Sequence, residues 1–583
     1  MDNYADNDFA NPTADCDLIM KGGITSGVVY PLAIVELAKH FRLAHVGGTS
    51  AGAIGAAAAA AAEYGRSGGG FKRLAEVPNE LGKKLFGLFQ PSPALKPIFD
   101  IAVACIGNGS FKVAKVVLAA LWGFRYYALL GALPGLIVLA IAWCYPGLAI
   151  VLLGLLTMLI GIFAAVGFVG YCRVSHGIPD NNFGICPGKT QPEYSTDGLT
   201  NWLADLIDGI AGRDPTKDPL TFGDLEPTEG KKITLRMMTT NLTMKRPYSL
   251  PFNTGVFAFR LSDFEKLFPE RVTHYLAQHC EKAKDPGEYD DLFMFPTDRL
   301  PLVVAARMSL SFPLLICAVP LYARDFTLRP EYAKKWRKNV FSDGGISSNF
   351  PIHFFDRMLP NSPTFAITLD DFDEKRVPER LDKLNPDDPG VRVWLPDTKH
   401  AGSGLLIPSL PFSGILGFLS TIVDAAKDWQ DSLQSTLAGY RDRIVHVGLK
   451  SDEGGLNLSM PTSLVAKLSQ YGAQAGLDLR TEFDLSEHRW RRFLVAMDDL
   501  GKTLSHFTEA YDGQGGADSF KDFLEHYPAH AIAYKDAATI DITVLRERAA
   551  ALAELGRNWA AEPAIPDDHM PHPKSDIRIA PLP

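Results

Sequence analysis

Between Tyr126 and Tyr171 the chain runs for 46 residues without a single Asp, Glu, Lys, Arg or His. A surface helix or strand of that length would carry charge on its wet face, so only a bilayer or an unusually apolar buried helix pair can accommodate it. Pro146-Gly147 divides the stretch into Tyr126–Cys144 and Leu148–Tyr171. Each half reaches the roughly 20 residues that a helix needs to cross the hydrocarbon core. Tyr126, Tyr127, Trp143, Tyr145 and Tyr171 sit where interfacial aromatics belong. The pattern predicts a transmembrane helical hairpin. Lys112, Lys115 and Arg125 precede it and Arg173 and Lys189 come after it, which places both outer ends on the cytoplasmic side.

The preceding residues, 71–125, hold eight basic side chains against three acidic ones, interleaved with Leu85, Phe86, Leu88, Phe89, Ile98 and Phe99. A basic, apolar segment next to a hairpin suits an anionic membrane surface. Residues 175–228 are rich in Pro, Gly, Asp and Asn and read as a connector with one short helix around Leu199–Ile210. The whole of 71–228 is therefore expected to be an insertion in a larger domain. A chain of 583 residues has room for two or three domains. Its net charge of −9 gives no ground for nucleic-acid binding. Its seven cysteines are odd in number and form no Cys-x-x-Cys pair, which argues against a disulfide framework or a zinc site. Residues 1–14 are polar and acidic, unlike a signal peptide, and read as a disordered tail.

The insertion interrupts an α/β pattern. Asp17–Met20 is a short apolar strand, succeeded by the glycine-rich turn Gly22-Gly23-Ile24-Thr25-Ser26-Gly27 and a helix-like stretch to Phe41. Phe41–Val46 is a second strand. It runs into Gly48-Thr49-Ser50-Ala51-Gly52, which has the Gly-x-Ser-x-Gly spacing of a nucleophile elbow. Alanines 56 to 62 come next without a break, a strong helix former. Ser50 would thus stand at a helix N-terminus, where amides and dipole favour developing negative charge. Beyond the insertion, Lys232–Thr240 is strand-like, Leu302–Met308 helical, and Asn339–Ser342 a strand that ends at Asp343-Gly344-Gly345. Thr364–Leu369 and Arg443–Leu449 are further strands, extending the domain to about residue 480. Two phosphate-loop readings fail. Gly22, Gly23 and Gly27 are out of register for Gly-x-Gly-x-x-Gly, and Gly184–Thr190 has three residues between its glycines where a P-loop has four.

Three of these turns, in this order, resemble the patatin-like phospholipases: a glycine-rich turn, a Gly-x-Ser-x-Gly elbow and a distant Asp-Gly-Gly. Ala305–Pro313 is also similar to the family's segment before the aspartate. The resemblance covers roughly residues 15–70 and 230–370. It implies a three-layer α/β sandwich with a mostly parallel central sheet. It also implies a lipid acyl hydrolase without cofactor or metal, in which Ser50 attacks an ester carbonyl and Asp343 takes its proton directly. Gly22, Gly23, Ile24 and Gly27 would supply the oxyanion hole, Gly48 and Gly52 the elbow, Gly344 and Gly345 the turn beside the base. Membrane lipid would be the substrate. The chain departs from the family at Ile24, where a third glycine is usual, and at Ser26, where an arginine is usual.

The expected organisation is a tail (1–14), a first core part (15–70), the insertion (71–228), a second core part (229–480) and a helical C-terminal region (481–583). Leu405–Leu437, with Leu416, Leu419, Ile422, Val423, Leu433 and Leu437 on one face, reads first as core and second as a lid or membrane contact. His488–Phe507 is a basic, aromatic amphipathic helix. Two other functions fit parts of the pattern. One is a Ser-His-Asp esterase using His353, His446 or His488; the other is a catalytically silent, lipid-binding membrane scaffold.

Overall fold

The computed structural model describes residues 4–106, 112–226, 231–376, 384–398, 414–450, 452–455, 457–513, 518–526, 542–562, 566 and 570–573. The chain enters through β1 (Ala14–Met20), crosses by α1 (Tyr30–Ala38) to β2 (Phe41–Gly48), and turns into α2 (Ala51–Tyr64) and α3 (Gly70–Lys84). After the insertion come β4 (Thr234–Asn241), β5 (Arg246–Leu250), β6 (Ala258–Arg260), β7 (Leu292–Met294), β9 (Val319–Arg324), β10 (Trp336–Asp343), β11 (Thr364–Asp371), β12 (Val393–Trp394) and β13 (Ile444–Leu449). These form one eleven-stranded sheet in the order β12-β13-β11-β1-β2-β4-β10-β9-β6-β7, with β5 beside β4. β3 (Gly184–Cys186) and β8 (Leu314–Ile316) make a separate parallel pair.

The sheet is mixed rather than mostly parallel. Only the centre, β13-β11-β1-β2-β4, pairs in parallel. β10 runs antiparallel to β4 and β9, β6 to β9 and β7, β5 to β4, and β12 to β13. The reason lies in the connections. A parallel neighbour requires a crossover such as α1, whereas the short links at residues 242–245 and 325–335 only reverse the chain.

Alternation along the central strands sorts their side chains onto two faces. Leu18, Met20, Val46, Phe365, Ile367, Val445 and Val447 join the main core under α1, α2 and α3. Ile19, Met238, Ala366 and Ile444 face a smaller core closed by Phe350, Ile352, Phe354 and Phe355. The helix Thr462–Thr481 presses onto α1 through two glycines. A Cβ on Gly472 would lie 1.8 Å from the Val29 carbonyl oxygen, and one on Gly476 2.5 Å from that of Ala33.

Three expectations change here. The N-terminal tail is packed from Tyr4 onward: the Tyr4 hydroxyl donates to Glu36 at 3.0 Å, and Phe9 is buried against Phe71. Most apolar residues of 71–99 face the protein core, although Phe86 is exposed. Phe71, Leu74, Val77, Leu81, Leu85, Leu88, Phe89, Leu95 and Phe99 all belong to the main core. Charge and periodicity look the same whether a helix covers a core or a bilayer, so the core's first part does not stop at residue 70. Finally, on the helix Gly414–Thr436 the expected core residues Ile422 and Leu433 are exposed, as are Ile415, Phe418 and Trp429, while Asp431 is buried. Residues 405–413 and the side chains of Leu416, Leu419 and Val423 lie outside the described residues.

The uncharged stretch forms α6 (Arg125–Cys144) and α7 (Leu148–Cys172), after α4 (Lys96–Ile106) and α5 (Lys112–Gly123). Both are long and apolar enough to cross a membrane. Glycines let them touch backbone to backbone: a Cβ on Gly131 would stand 2.3 Å from the Gly161 carbonyl oxygen, the small-residue contact typical of helices in lipid. Among the described residues, none from Arg125 to Cys172 belongs to a core cluster of the α/β body. Replacing residues 126–171 by a short Gly-Ser linker is therefore expected to leave the body folded. It should also move the protein from the carbonate-resistant membrane fraction to the supernatant, read by fractionation and circular dichroism.

Candidate active site

β2 delivers Gly48 to the C-terminal edge of the parallel centre, and α2 leaves immediately after Ser50. Ser50 makes the turn at φ 56°, ψ −122°, a region that only glycine enters readily, so the turn stores strain. Its neighbours must be glycine because backbone occupies the space where their side chains would be. A Cβ on Gly48 would lie 2.3 Å from the Gly52 carbonyl oxygen, and one on Gly52 2.2 Å from that of Met20. Ser50 is buried, and its amide donates to Ser309 Oγ at 3.1 Å.

Asp343 ends β10. It pairs with Thr239 of β4, and Met237, two residues earlier, is level with Gly48 of β2. Asp343 thus stands at the level of Ser50 with one strand between them, although it arrives on an antiparallel strand. The two turns touch: a Cβ on Gly344 would stand 2.9 Å from Thr49 Cγ2 and 2.1 Å from the Met238 carbonyl oxygen. Asp343 Oδ1 accepts from the Gly345 amide at 2.8 Å, and the Asp343 amide donates to the Ser311 carbonyl at 3.0 Å.

One segment ties both turns together. After the helix Leu302–Ser309, Ser309 holds the elbow amide and Ser311 holds β10, accepting also from Ser342 Oγ at 2.9 Å. Arg307 is the fully buried anchor of that segment. Its Nη1 donates to Ser311 Oγ at 2.7 Å and its Nη2 to the carbonyls of Pro187 and Cys317, each at 2.9 Å. Burial pushes its pKa down to about 10, so it stays protonated at neutral pH and orders those oxygens around it.

The glycine turn meets the elbow in a specific way. The Gly22 amide is engaged by the Asn349 carbonyl at 2.8 Å. Gly27 lets the chain pass Ala51, whose Cβ would be 2.8 Å from a Cβ there. The Gly23 carbonyl accepts from Ser50 Oγ at 2.9 Å and from the Ala51 amide at 3.1 Å. Ile24 packs beside the main core. Thr25 donates through its amide and hydroxyl to the Gly455 carbonyl, at 3.2 and 3.0 Å. Asn349 in turn hangs from Asp431 of the helix Gly414–Thr436, which accepts from the amides of Asn349 and Phe350 at 2.6 and 2.8 Å.

Among the described residues, no histidine bonds Ser50 Oγ. His446 pairs with Asp370 at 2.6 Å under the ring of Trp394, and His488 with Asp442 at 2.8 Å. His353 is edge-on to Phe354, and burial lowers its pKa. Sequence reasoning named Ser50, Asp343 and the flanking glycines, and the structure sets their turns against one another. That reasoning missed Asn349, Asp431 and Gly455, which no local pattern marks, and it placed Ser309 and Ser311 only through a resemblance.

Fold and site together define an α/β protein with a strained serine elbow, a carboxylate turn packed against it and an inserted apolar hairpin. No family model matches the chain. Over an alignment of 671 residues it is 33% identical to the RpoH suppressor of Rhizobium meliloti (strain 1021), covering 98% of this chain and 99% of that protein. The chain belongs to the same family as that protein. Among solved structures it is similar to VipD from Legionella pneumophila, at 13% identity and a TM-score of 0.30, with 94% of this chain and 85% of that chain covered.

Because Gly52 abuts the β1 carbonyls, Gly52→Ala must push α2 off the sheet. The expected cost is roughly 3 kcal/mol, read as a lower denaturation midpoint in urea.

Proposed function

We propose that this protein is a membrane-associated acyl hydrolase of patatin type that cleaves carboxylic esters of lipids through a Ser50–Asp343 dyad. The observation that carries the reading is the serine held at positive φ at the start of a helix, with the Asp-Gly-Gly turn packed against the residue before it. A serine at the tip of a strained strand-to-helix turn is built for attack on a carbonyl carbon.

In this reading Ser50 Oγ attacks the ester carbonyl while Asp343 takes its proton. The tetrahedral intermediate collapses and expels the alcohol, which leaves with that proton. The Ser50 acyl-enzyme remains. Water, deprotonated by Asp343, then attacks it and releases the fatty acid. Asp343 is buried beside the elbow, with its Oδ1 oriented by the Gly345 amide at 2.8 Å, which supports the base role. The sheet with helices on one face and the 350–355 and 414–436 segments on the other fits the three-layer sandwich. The hairpin would hold the body at its lipid substrate, and the basic residues at its outer ends would set the body on the cytoplasmic side.

The test is fatty-acid release from mixed phospholipid vesicles, measured by mass spectrometry. Ser50→Ala and Asp343→Asn are each expected to lose about 10³-fold or more. The lipid species consumed gives the specificity. Absence of release from the unmodified protein over several lipids and detergents, with vesicle binding retained, would instead establish a lipid-binding scaffold.

A further inference from the structure

The hydrogen bonds around Gly23 describe a site that is closed against its own chemistry. A carbonyl oxygen bonded at once to Ser50 Oγ and to the Ala51 amide fills the space that an oxyanion borne on Ser50 would take, since oxyanion donors stand about 2.7–3.1 Å from that atom. The amide of the residue after the nucleophile is a usual oxyanion donor, and here it is spent on Gly23. The same bond also fixes the serine proton. A carbonyl can only accept, so the Ser50 hydroxyl points at Gly23 and not toward a base.

We infer that the oxyanion hole of this protein consists of the Ala51 and Ile24 amides, and that it forms only when the Gly23–Ile24 peptide plane turns over. This rests on the hydrolase reading above. The two ends of a peptide point in opposite directions, so a plane whose C=O faces Ser50 turns its N–H away. Among the described residues the Ile24 amide has no acceptor in the closed form. Rotation by about half a turn removes the Gly23 oxygen, frees the Ala51 N–H and brings the Ile24 N–H to the same place. Two donors then replace one acceptor, and the serine proton is released to face Asp343.

Such a rotation changes ψ of the first residue and φ of the second, as between type I and type II turns, and takes the second residue to positive φ. That residue is Ile24, whose branched side chain makes positive φ an outlier. Ile24 is at negative φ in the closed form. The side chain therefore holds the peptide shut. The clamp on the next residue does the same, for the Gly455 carbonyl takes both donors of Thr25, and a Cβ on Gly454 would stand 2.7 Å from that of Ser26.

The test compares the rate at which a fluorophosphonate probe labels Ser50 in the full-length protein and in Ile24→Gly and Ile24→Ala. Glycine removes the barrier at positive φ, while alanine removes the same packing but keeps a Cβ. Ile24→Gly is expected to label about tenfold faster than the unmodified protein and several-fold faster than Ile24→Ala, through relief of backbone strain in the turned-over form. Equal rates in all three proteins, or equal gains in both variants, would overturn the flip and leave the hydrolase reading intact. Labelling of none of them, even on long incubation, would overturn both. A second measurement needs no variant: in a structure of the phosphonylated protein, the phosphonyl oxygen should accept from Ala51 and Ile24. An adduct that keeps the Gly23 carbonyl on the Ala51 amide would overturn the inference.

Discussion

The closeness of α2 to β1 is the constraint on which the rest of this structure depends. Gly52 lies against the carbonyls of Met20 and Lys21 with no room for even a methyl group. Behind it, Ala56 to Ala62 are all buried, so the helix presents a thin, smooth face to the sheet and to its neighbours. A helix that close cannot be reached from β2 by a relaxed turn. The strain falls on Ser50, which takes up positive φ and donates its hydroxyl to the Gly23 carbonyl. The tip geometry is thus a consequence of packing, held by the whole interface rather than by the five residues of the turn.

Around that contact the protein builds a chain of oxygens and amides anchored by two buried charged side chains, Arg307 and Asp431. Ser309 receives the elbow amide, Ser311 receives β10, and the buried guanidinium of Arg307 orients the segment between them. On the other side, Asn349 ties the glycine turn to the loop after Asp343, and Asp431 holds Asn349 from a helix on which Ile415, Phe418, Ile422, Trp429 and Leu433 are exposed. Backbone bonds of this kind fix direction within tenths of an ångström, which side-chain ion pairs on long stems do not. They also hold the glycine turn at the Gly22 amide and at Thr25, and at the Gly23 carbonyl between them.

Much of the candidate site was legible in the chain. Glycines beside a serine signal a close approach of backbones, and an alanine run signals a thin helix, so residues 41–62 read correctly as strand, elbow and helix. The hairpin was equally plain, since 46 residues without charge admit few other structures. The segment 71–99 was not legible, because an apolar stripe does not say what it is apolar against. Nor was the direction of β10. Asp343 sits at a strand end as the triplet implied, but whether that strand runs with or against its neighbour depends on where the preceding loop returns to the sheet.

The sequence by itself determined the local parts: which residues turn, which form the long apolar helices, and which serine and aspartate stand at tips. Steric and solvation rules that act over a few residues decide those. Only the tertiary structure decided how the parts face one another. It brought Thr49 against Gly344 across some 290 intervening residues, laid Gly455 over Thr25, and turned the Gly23 carbonyl onto Ser50. A peptide's orientation is set by the acceptors and donors that surround it in space, and those come from strands and loops far away in the chain.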